Sequence, residues 1–289
     1  MLRTLAMLAL LPALTRAQPF PPHRIISNIY YVGESDLASF LIVTPKGNIL
    51  INTGFDFSVP QIRASFKTLG FQLSDTKILL VTHAHNDHVA GMAAVKRLTG
   101  AQMLAIEQEV PLLESGGKTD YLFGSASWFQ PVKVDRAFKD GDKIELGGTA
   151  LTANLTPGHT RGSVTYSLDV IENSRTYHVL IANLGTINPG TLLVKNPKYP
   201  GIAEDYARTF RIQKEFPCDI FLASHASQYG LQRKYRQGMA YSPDTFVDPG
   251  GYHRAVERLE AIYLSQLEEE QAEDKVIQER KHFNEATPP

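Results

Sequence analysis

The segment Thr82-His83-Ala84-His85-Asn86-Asp87-His88 packs four side chains able to ligate a metal into six consecutive residues. Neutral imidazole and carboxylate are the usual nitrogen and oxygen ligands of zinc. Without a metal, burying them would leave every ring and the carboxylate in need of its own partner. A polar surface loop is the alternative, and the flanks argue against it. Upstream, Lys77-Ile78-Leu79-Leu80-Val81-Thr82 is a short apolar run with a branched content that suits a buried strand. Downstream, residues 89–100 read as a helix. Val89, Met92, Leu98 and the alanines form its buried side, and Gly100 is its stop. The cluster is therefore expected where a central strand hands over to a helix, the end at which α/β sheets bind ligands.

The chain has 289 residues, enough for one large domain or two small ones, and its 43% hydrophobic and 20% charged residues suit a packed core. A formal net charge of −1 gives no electrostatic case for nucleic acid or an anionic membrane as partner. Residues 1–17 stand apart. Arg3 is followed by an apolar run, 5–14, too short to span a bilayer, and Thr15-Arg16-Ala17 offers small residues for cleavage. This resembles a secretory signal peptide cut before about Gln18, which implies export to the periplasm. Residues 18–289 then form a single domain with a C-terminal helix. The lone Cys218 cannot make an internal disulfide and is expected to pack as a small residue.

Along the chain, strands are expected at 29–32, 38–44 and 49–52, with the turn Pro45-Lys46-Gly47-Asn48 between the last two. A helix over 59–69 precedes the strand that delivers His83. A strand at 102–105 and a short helix at 108–113 follow. Residues 114–131, with Gly116-Gly117 and Trp128, read as a long irregular loop, and long ordered loops are often functional. Strands are then expected at 132–135 and 142–146. Another strand from Leu151 runs into Thr156-Pro157-Gly158-His159-Thr160. Strands at 163–168 and 177–182, a helix at 202–214 and a strand at 220–225 ending on His225 come next. A last helix from Tyr252 to about Glu270 buries Val256, Leu259, Tyr263 and Leu267, and the charged chain past Glu268 is expected to fray.

His-x-His-x-Asp-His after a strand, Thr-Pro-Gly-His-Thr, and a histidine ending a later strand together resemble the metallo-β-lactamase superfamily. The resemblance spans about residues 25–270. The all-histidine pattern, with no cysteine near a motif except Cys218, is similar to subclass B3. So are Pro131-Val132-Lys133-Val134-Asp135-Arg136 with Asp140-Gly141-Asp142, and Asn196-Pro197-Lys198-Tyr199-Pro200 with Glu204-Asp205-Tyr206. The resemblance implies an α/β fold, an αββα sandwich with a dinuclear zinc site at the edge of two facing sheets. It implies two zinc ions per chain. His83, His85 and His159 would hold one, and Asp87, His88 and His225 the other. Three neutral nitrogens leave a tetrahedral zinc one open position for water. Two ions roughly 3.5–4 Å apart can clamp a reacting group. The implied activity is hydrolysis of a small-molecule β-lactam by a zinc-bound hydroxide, without an acyl-enzyme, conferring antibiotic resistance. Asp87 would double as the catalytic group that orients the hydroxide or passes on its proton. The chain is expected to be a monomer.

Other hydrolases share this fold. Glyoxalase II-type thioesterases and lactonases carry an additional bridging aspartate after a strand. The matching stretch, Ile181-Ala182-Asn183-Leu184-Gly185-Thr186, offers only Asn183, and a neutral amide is a poor bridging ligand. This favours the β-lactamase over the thioesterase or lactonase. Thr186 is expected to stand in for a substrate-orienting serine. Trp128, with Phe123, is read as an apolar wall over the substrate, and Ser224 as a contact to a substrate carboxylate. Tyr121, Ser127 and Gln228 are further polar candidates. Asn52 lies where an aspartate is common beneath the metals and is expected to accept a hydrogen bond from a ligand imidazole. His23, His178, His253 and His282 are read as structural or solvated.

Overall fold

Period-two alternation along the apolar strands decides the layering. In β3 (Phe40–Thr44), Phe40 and Ile42 face one core while Leu41 faces another. In β4 (Gly47–Ile51), Ile49 and Ile51 oppose Leu50 in the same way, and in β5 (Thr76–Leu80) Ile78 and Leu80 oppose Leu79. Alternate side chains leave a strand on opposite faces, so a sheet apolar on both sides must be covered on both. The computed structural model, which describes residues 18–286, meets that requirement with two facing sheets and helices outside them. The signal peptide expected over residues 1–17 lies outside the described residues.

The first sheet runs in chain order: β1 (His23–Ile26), β2 (Ile29–Tyr31), β3, β4, β5, β6 (Gln102–Ile106) and β7 (Arg136–Phe138). It is antiparallel up to β4 and parallel from there on. The second sheet has the order β12-β11-β10-β9-β8, from β8 (Lys143–Leu146), β9 (Thr149–Leu155), β10 (Val164–Glu172), β11 (Arg175–Ala182) and β12 (Ile220–Ala223). The main core lies between the sheets, where Phe40, Ile49 and Leu80 meet Ala153, Tyr166 and Ile181. Helices α1 (Val59–Thr68), α2 (Asn86–Val89), α3 (Met92–Thr99) and α4 (Val110–Ser115) cover the outer face of the first sheet through Ile62, Phe66, Val89, Val95 and Leu113. Helices α5 (Ile202–Gln213), α6 (Ala226–Tyr229), α7 (Leu231–Lys234) and α8 (Gly251–Ala286) accompany the second sheet. Tyr206 and Phe210 of α5 lie against Tyr263 of α8. Each large side chain buried this way stabilises the fold by roughly 1.5–3 kcal/mol.

Four expectations need correction. The helix expected over 89–100 is broken into α2 and α3. Gly91 passes so close to the neighbouring backbone that a Cβ would lie 3.0 Å from the carbonyl oxygens of Thr53 and Phe55. Leu98 is 56% exposed, and Met92, Ala93 and Val95 supply the buried side instead. Residues 132–135 are not a strand. Val132 N donates to Leu113 O and Val134 N to the Glu114 carboxylate, so neither amide joins a ladder, and pairing with β6 begins only at Arg136. Finally, α8 does not fray at Glu268. Glu270 accepts from the amides of Leu193 and Val194 at 2.7 and 2.8 Å, and Asp274 pairs with Lys195 at 2.6 Å. The acidic tail is thus tied to the loop that precedes α5. The expected buried stripe holds, with Val256 and Tyr263 buried and Leu259 and Leu267 packed against the core.

Candidate metal centre

Three chain segments converge. After β5 the chain turns through Val81 to His85, and α2 starts at Asn86. His85 is extended (φ −78°, ψ 151°), which turns His83 and His85 on the loop toward Asp87 and His88 on the first helical turn. After β9, Pro157-Gly158 leads to His159. Gly158 has φ +123°, and a Cβ there would meet the Tyr206 ring at 2.8 Å, so the turn demands glycine. After β12, His225 sits just ahead of α6.

The donor atoms of His83, His85 and His159 all lie within 4.8 Å of one another, as do those of His83, Asp87 and His88. His225 Nε2 is 3.3 Å from His88 Nε2 and 3.7 Å from Asp87 Oδ2. Burial pushes the imidazoles of His83 and His88 below their ordinary range and His159 down to about 3. Neutral imidazole is the form that ligates a metal. Burial alone would raise Asp87, but the imidazoles around it, His88 first, hold its carboxyl below the usual carboxylate range. Burial thus favours the neutral form of His83, His88 and His159 beside the ionised Asp87 carboxylate.

The residues fit a cation better than a hydrogen-bonded cluster. His88 Nε2, His225 Nε2 and Asp87 Oδ2 lie 3.3, 3.3 and 3.7 Å from one another, and a single ring N–H can serve only one of these contacts, whereas one cation is shared by all three. Imidazole nitrogen with a single carboxylate is a donor set suited to zinc.

Two of the rings are oriented from behind. His159 donates Nδ1–H to the Thr186 carbonyl at 2.8 Å, and that carbonyl also accepts from the Tyr206 hydroxyl. His225 donates Nδ1–H to Asp36 at 3.0 Å, while the other Asp36 oxygen accepts from Ser227 N. His225 is raised as a result: desolvation, which lowers it, is outweighed by Asp36 and Asp87. Such outer partners fix the tautomer and ring direction of a ligand. A further carboxylate joins the first two segments. Glu109, 1% exposed, accepts from Ala84 N, Gly162 N and the Thr160 hydroxyl, and burial raises it to about 6.

Sequence reasoning missed Asp36, Glu109 and Asp120. Asp120 Oδ2 lies 3.3 Å from His85 Nε2. Asp36 precedes its histidine by 189 positions, so no local spacing could reveal the pair. The Asn52 expectation is corrected. Its amide exchanges hydrogen bonds with Thr82, at 3.0 Å each way, and touches no imidazole. Thr82 stands between them, its hydroxyl 3.4 Å from His83 Nδ1. Asn52 sits at φ +61°, at the end of β4, which aims its side chain across to the end of β5.

The other named side chains distribute as follows. Thr186 is half-buried behind His159, with its hydroxyl 3.1 Å from Nδ1. Ser224 is buried and donates to Thr82 Oγ1 at 2.9 Å, beneath the ligand loop. Asn183 is also buried there, and its carbonyl accepts from Gln213. Phe123 places its ring 5.0 Å from that of His85, edge to face. Trp128 is half exposed beside Lys118. Tyr121 is buried, its hydroxyl 3.4 Å from Thr191 Oγ1, Ser127 is half-buried, and Gln228 closes the first turn of α6. Of the remaining histidines, His23 stacks on Tyr235 at 3.6 Å and His178 pairs with Asp169 at the surface.

Comparison with known proteins agrees with this geometry. The family model described as the metallo-beta-lactamase superfamily matches residues 33–171. Among solved structures, the FEZ-1 metallo-β-lactamase of Legionella gormanii is 44% identical, covers 89% of this chain and 99% of its own, and superposes with a TM-score of 0.85. The class B3 di-zinc enzyme LRA-12 from an Alaskan soil metagenome is 43% identical over 86% of this chain and 95% of its own, TM-score 0.84. The subclass B3 enzyme BJP-1 of Bradyrhizobium japonicum is 38% identical over 89% and 97%, TM-score 0.82. Among curated sequences, a hydroxyacylglutathione hydrolase of Pseudomonas aeruginosa is 36% identical over 96 residues, a match that spans 28% of that protein's length. A histidine-rich centre at the meeting of two sheets, and near-complete coverage of relatives above 35% identity, lead to one conclusion: the chain belongs to the metallo-β-lactamase superfamily.

Proposed function

We propose that this protein is a subclass B3 β-lactamase that hydrolyses the amide bond of β-lactam antibiotics with two zinc ions. The observation that carries the reading is the donor set itself. One carboxylate, Asp87, stands among five imidazoles, and the position at which a thioesterase or lactonase would supply a bridging acid holds the buried amide of Asn183. His83, His85 and His159 would hold the first zinc, and Asp87, His88 and His225 the second. Zinc at such a site supplies a Lewis acid and brings the ionisation of water to near neutral pH, at about 7.

The chain's own residues do the rest. Asp87, kept ionised by its imidazole neighbours, offers Oδ2 as a proton acceptor at the centre. Thr186 and Asp36 hold His159 and His225 in the orientation that presents Nε2. Phe123, beside His85, and Trp128 on the same loop give a β-lactam an apolar wall and exclude water from one side. Ser224 acts from below through Thr82. Export to the periplasm by residues 1–17, action as a monomer and a role in antibiotic resistance complete the reading.

The test is hydrolysis of a penicillin, a cephalosporin and a carbapenem, with and without a chelator. Turnover that stops on chelation and returns with zinc supports the reading. A zinc-loaded protein that cleaves S-lactoylglutathione or a lactone and leaves all three drugs intact makes it a hydrolase of the second kind.

A further inference from the structure

The side chain of Asp120 does two things at once. Oδ1 accepts from the amides of Leu122 at 2.7 Å and Phe123 at 2.6 Å, closing a tight turn in the loop 114–131. Oδ2 lies 3.3 Å from His85 Nε2. The side chain is only 5% exposed, and neither Oδ2 nor His85 Nε2 has a hydrogen-bond partner. A buried carboxylate oxygen without a donor is costly, so the pair must be completed when the ring is locked in place. An imidazole has two nitrogens. With Nε2 turned to Asp120, only Nδ1 of His85 is left to face His83 and His159. The Phe123 ring, fixed by the same turn, lies edge-on to His85 at 5.0 Å.

We propose that Asp120 is a positioning residue that acts through His85, and that it links metal occupancy to the order of the loop carrying Phe123 and Trp128. The inference rests on the reading of His83, His85 and His159 as a zinc site. Metal on Nδ1 requires the ring proton on Nε2, and that N–H completes the bond to Oδ2. The same carboxylate then holds the loop turn more firmly. By reciprocity, a loop that is held by Asp120 favours the metal-ready tautomer.

Asp120→Asn separates the two roles. Its amide oxygen still accepts from Leu122 and Phe123, while the charge facing His85 is gone. Zinc titration against a chromophoric chelator is expected to find two sites in the wild type. In Asp120→Asn one of them weakens by about 10–100-fold, the scale of lost outer partners, and the other stays unchanged. Amide exchange over residues 118–128 is expected to slow on zinc loading in the wild type and to respond far less in the variant. The visible spectrum of the cobalt-substituted protein shifts in the variant as well. Should Asp120→Asn fold poorly, Asp120→Ser, whose hydroxyl can accept from the same two amides, repeats the test. Equal zinc affinities in variant and wild type, with loop exchange still responding to zinc, overturn the inference and leave the zinc site standing. A wild type that binds no zinc overturns both.

Discussion

His88 Nε2 and His225 Nε2 lie 3.3 Å apart, although 137 positions separate the two residues in the chain. One sits on the first turn after a strand of the first sheet, the other just past a strand of the second. The sandwich brings them together with rings nearly perpendicular, at 87°. Asp87 Oδ2 lies 3.3 Å from His88 Nε2 and 3.7 Å from His225 Nε2, so three donor atoms meet where one ring proton could bridge only two, and a cation serves all three.

The first prediction concerns the ligands. His159→Ala should leave one tightly bound zinc where the wild type holds two, and lower kcat/KM by more than about 100-fold, the upper scale for losing only an outer partner. Metal analysis after dialysis, run beside β-lactam hydrolysis, checks it. Unchanged zinc content with full activity would show that the ring is not a ligand.

Glu109 joins the loop of His83 and His85 to the loop of His159. Glu109→Ala strands two buried amides and a hydroxyl, each costing about 1–3 kcal/mol. Urea unfolding of the metal-free protein should show a loss of roughly 3 kcal/mol or more. Glu109→Gln, which keeps an accepting oxygen, should lose clearly less. Equal stability for Glu109→Ala and wild type would refute this role.

Acid sensitivity should have a source outside the metal centre. Burial lowers His23 from 6.5 to about 4, its Nδ1–H donated to Pro21 O and its Nε2 without a partner. The unfolded chain therefore takes up a proton that the folded chain refuses. Stability is full above about pH 6.5 and falls as pH drops from there to about 4, by roughly 3 kcal/mol. His23→Phe keeps the stack on Tyr235 and removes this term. Denaturant unfolding of metal-free protein at pH 7 and pH 4.5 should show a smaller acid loss in the variant. An identical loss in both would contradict the assignment.

Cys218 is buried, and burial pushes its thiol up to about 12. The thiolate is the reactive form. Iodoacetamide at pH 8 should modify the folded protein far more slowly than the urea-unfolded one, and Cys218→Ser should retain the full zinc content. Rapid labelling of the native thiol would sink the packing role.

How much of this was legible in the sequence follows from distance along the chain. His83, His85, Asp87 and His88 advertise themselves because one loop carries them all, and His159 because Pro-Gly precedes it. The layers came only with the family resemblance, and the folded chain shows their basis in the parity by which neighbours such as Phe40 and Leu41 face different cores. The partners behind the ligands were not legible. Asp36 and Asp120 stand among ordinary loop residues, and only the folded chain brings them to His225 and His85. The break at Gly91 and the long run of α8 were hidden for the same reason. One depends on the backbone of Thr53 and Phe55, the other on amides near Leu193. Asn52 was placed beneath the site correctly in sequence terms, but Thr82 intervenes between it and the rings.

The most direct test of the central claim measures zinc per chain in the same sample that is assayed with a chromogenic cephalosporin. Two zinc ions per chain, with hydrolysis lost on chelation and regained on adding zinc, is the predicted result. Hydrolysis that survives complete removal of metal, or a fully zinc-loaded protein inert toward every β-lactam, would contradict it.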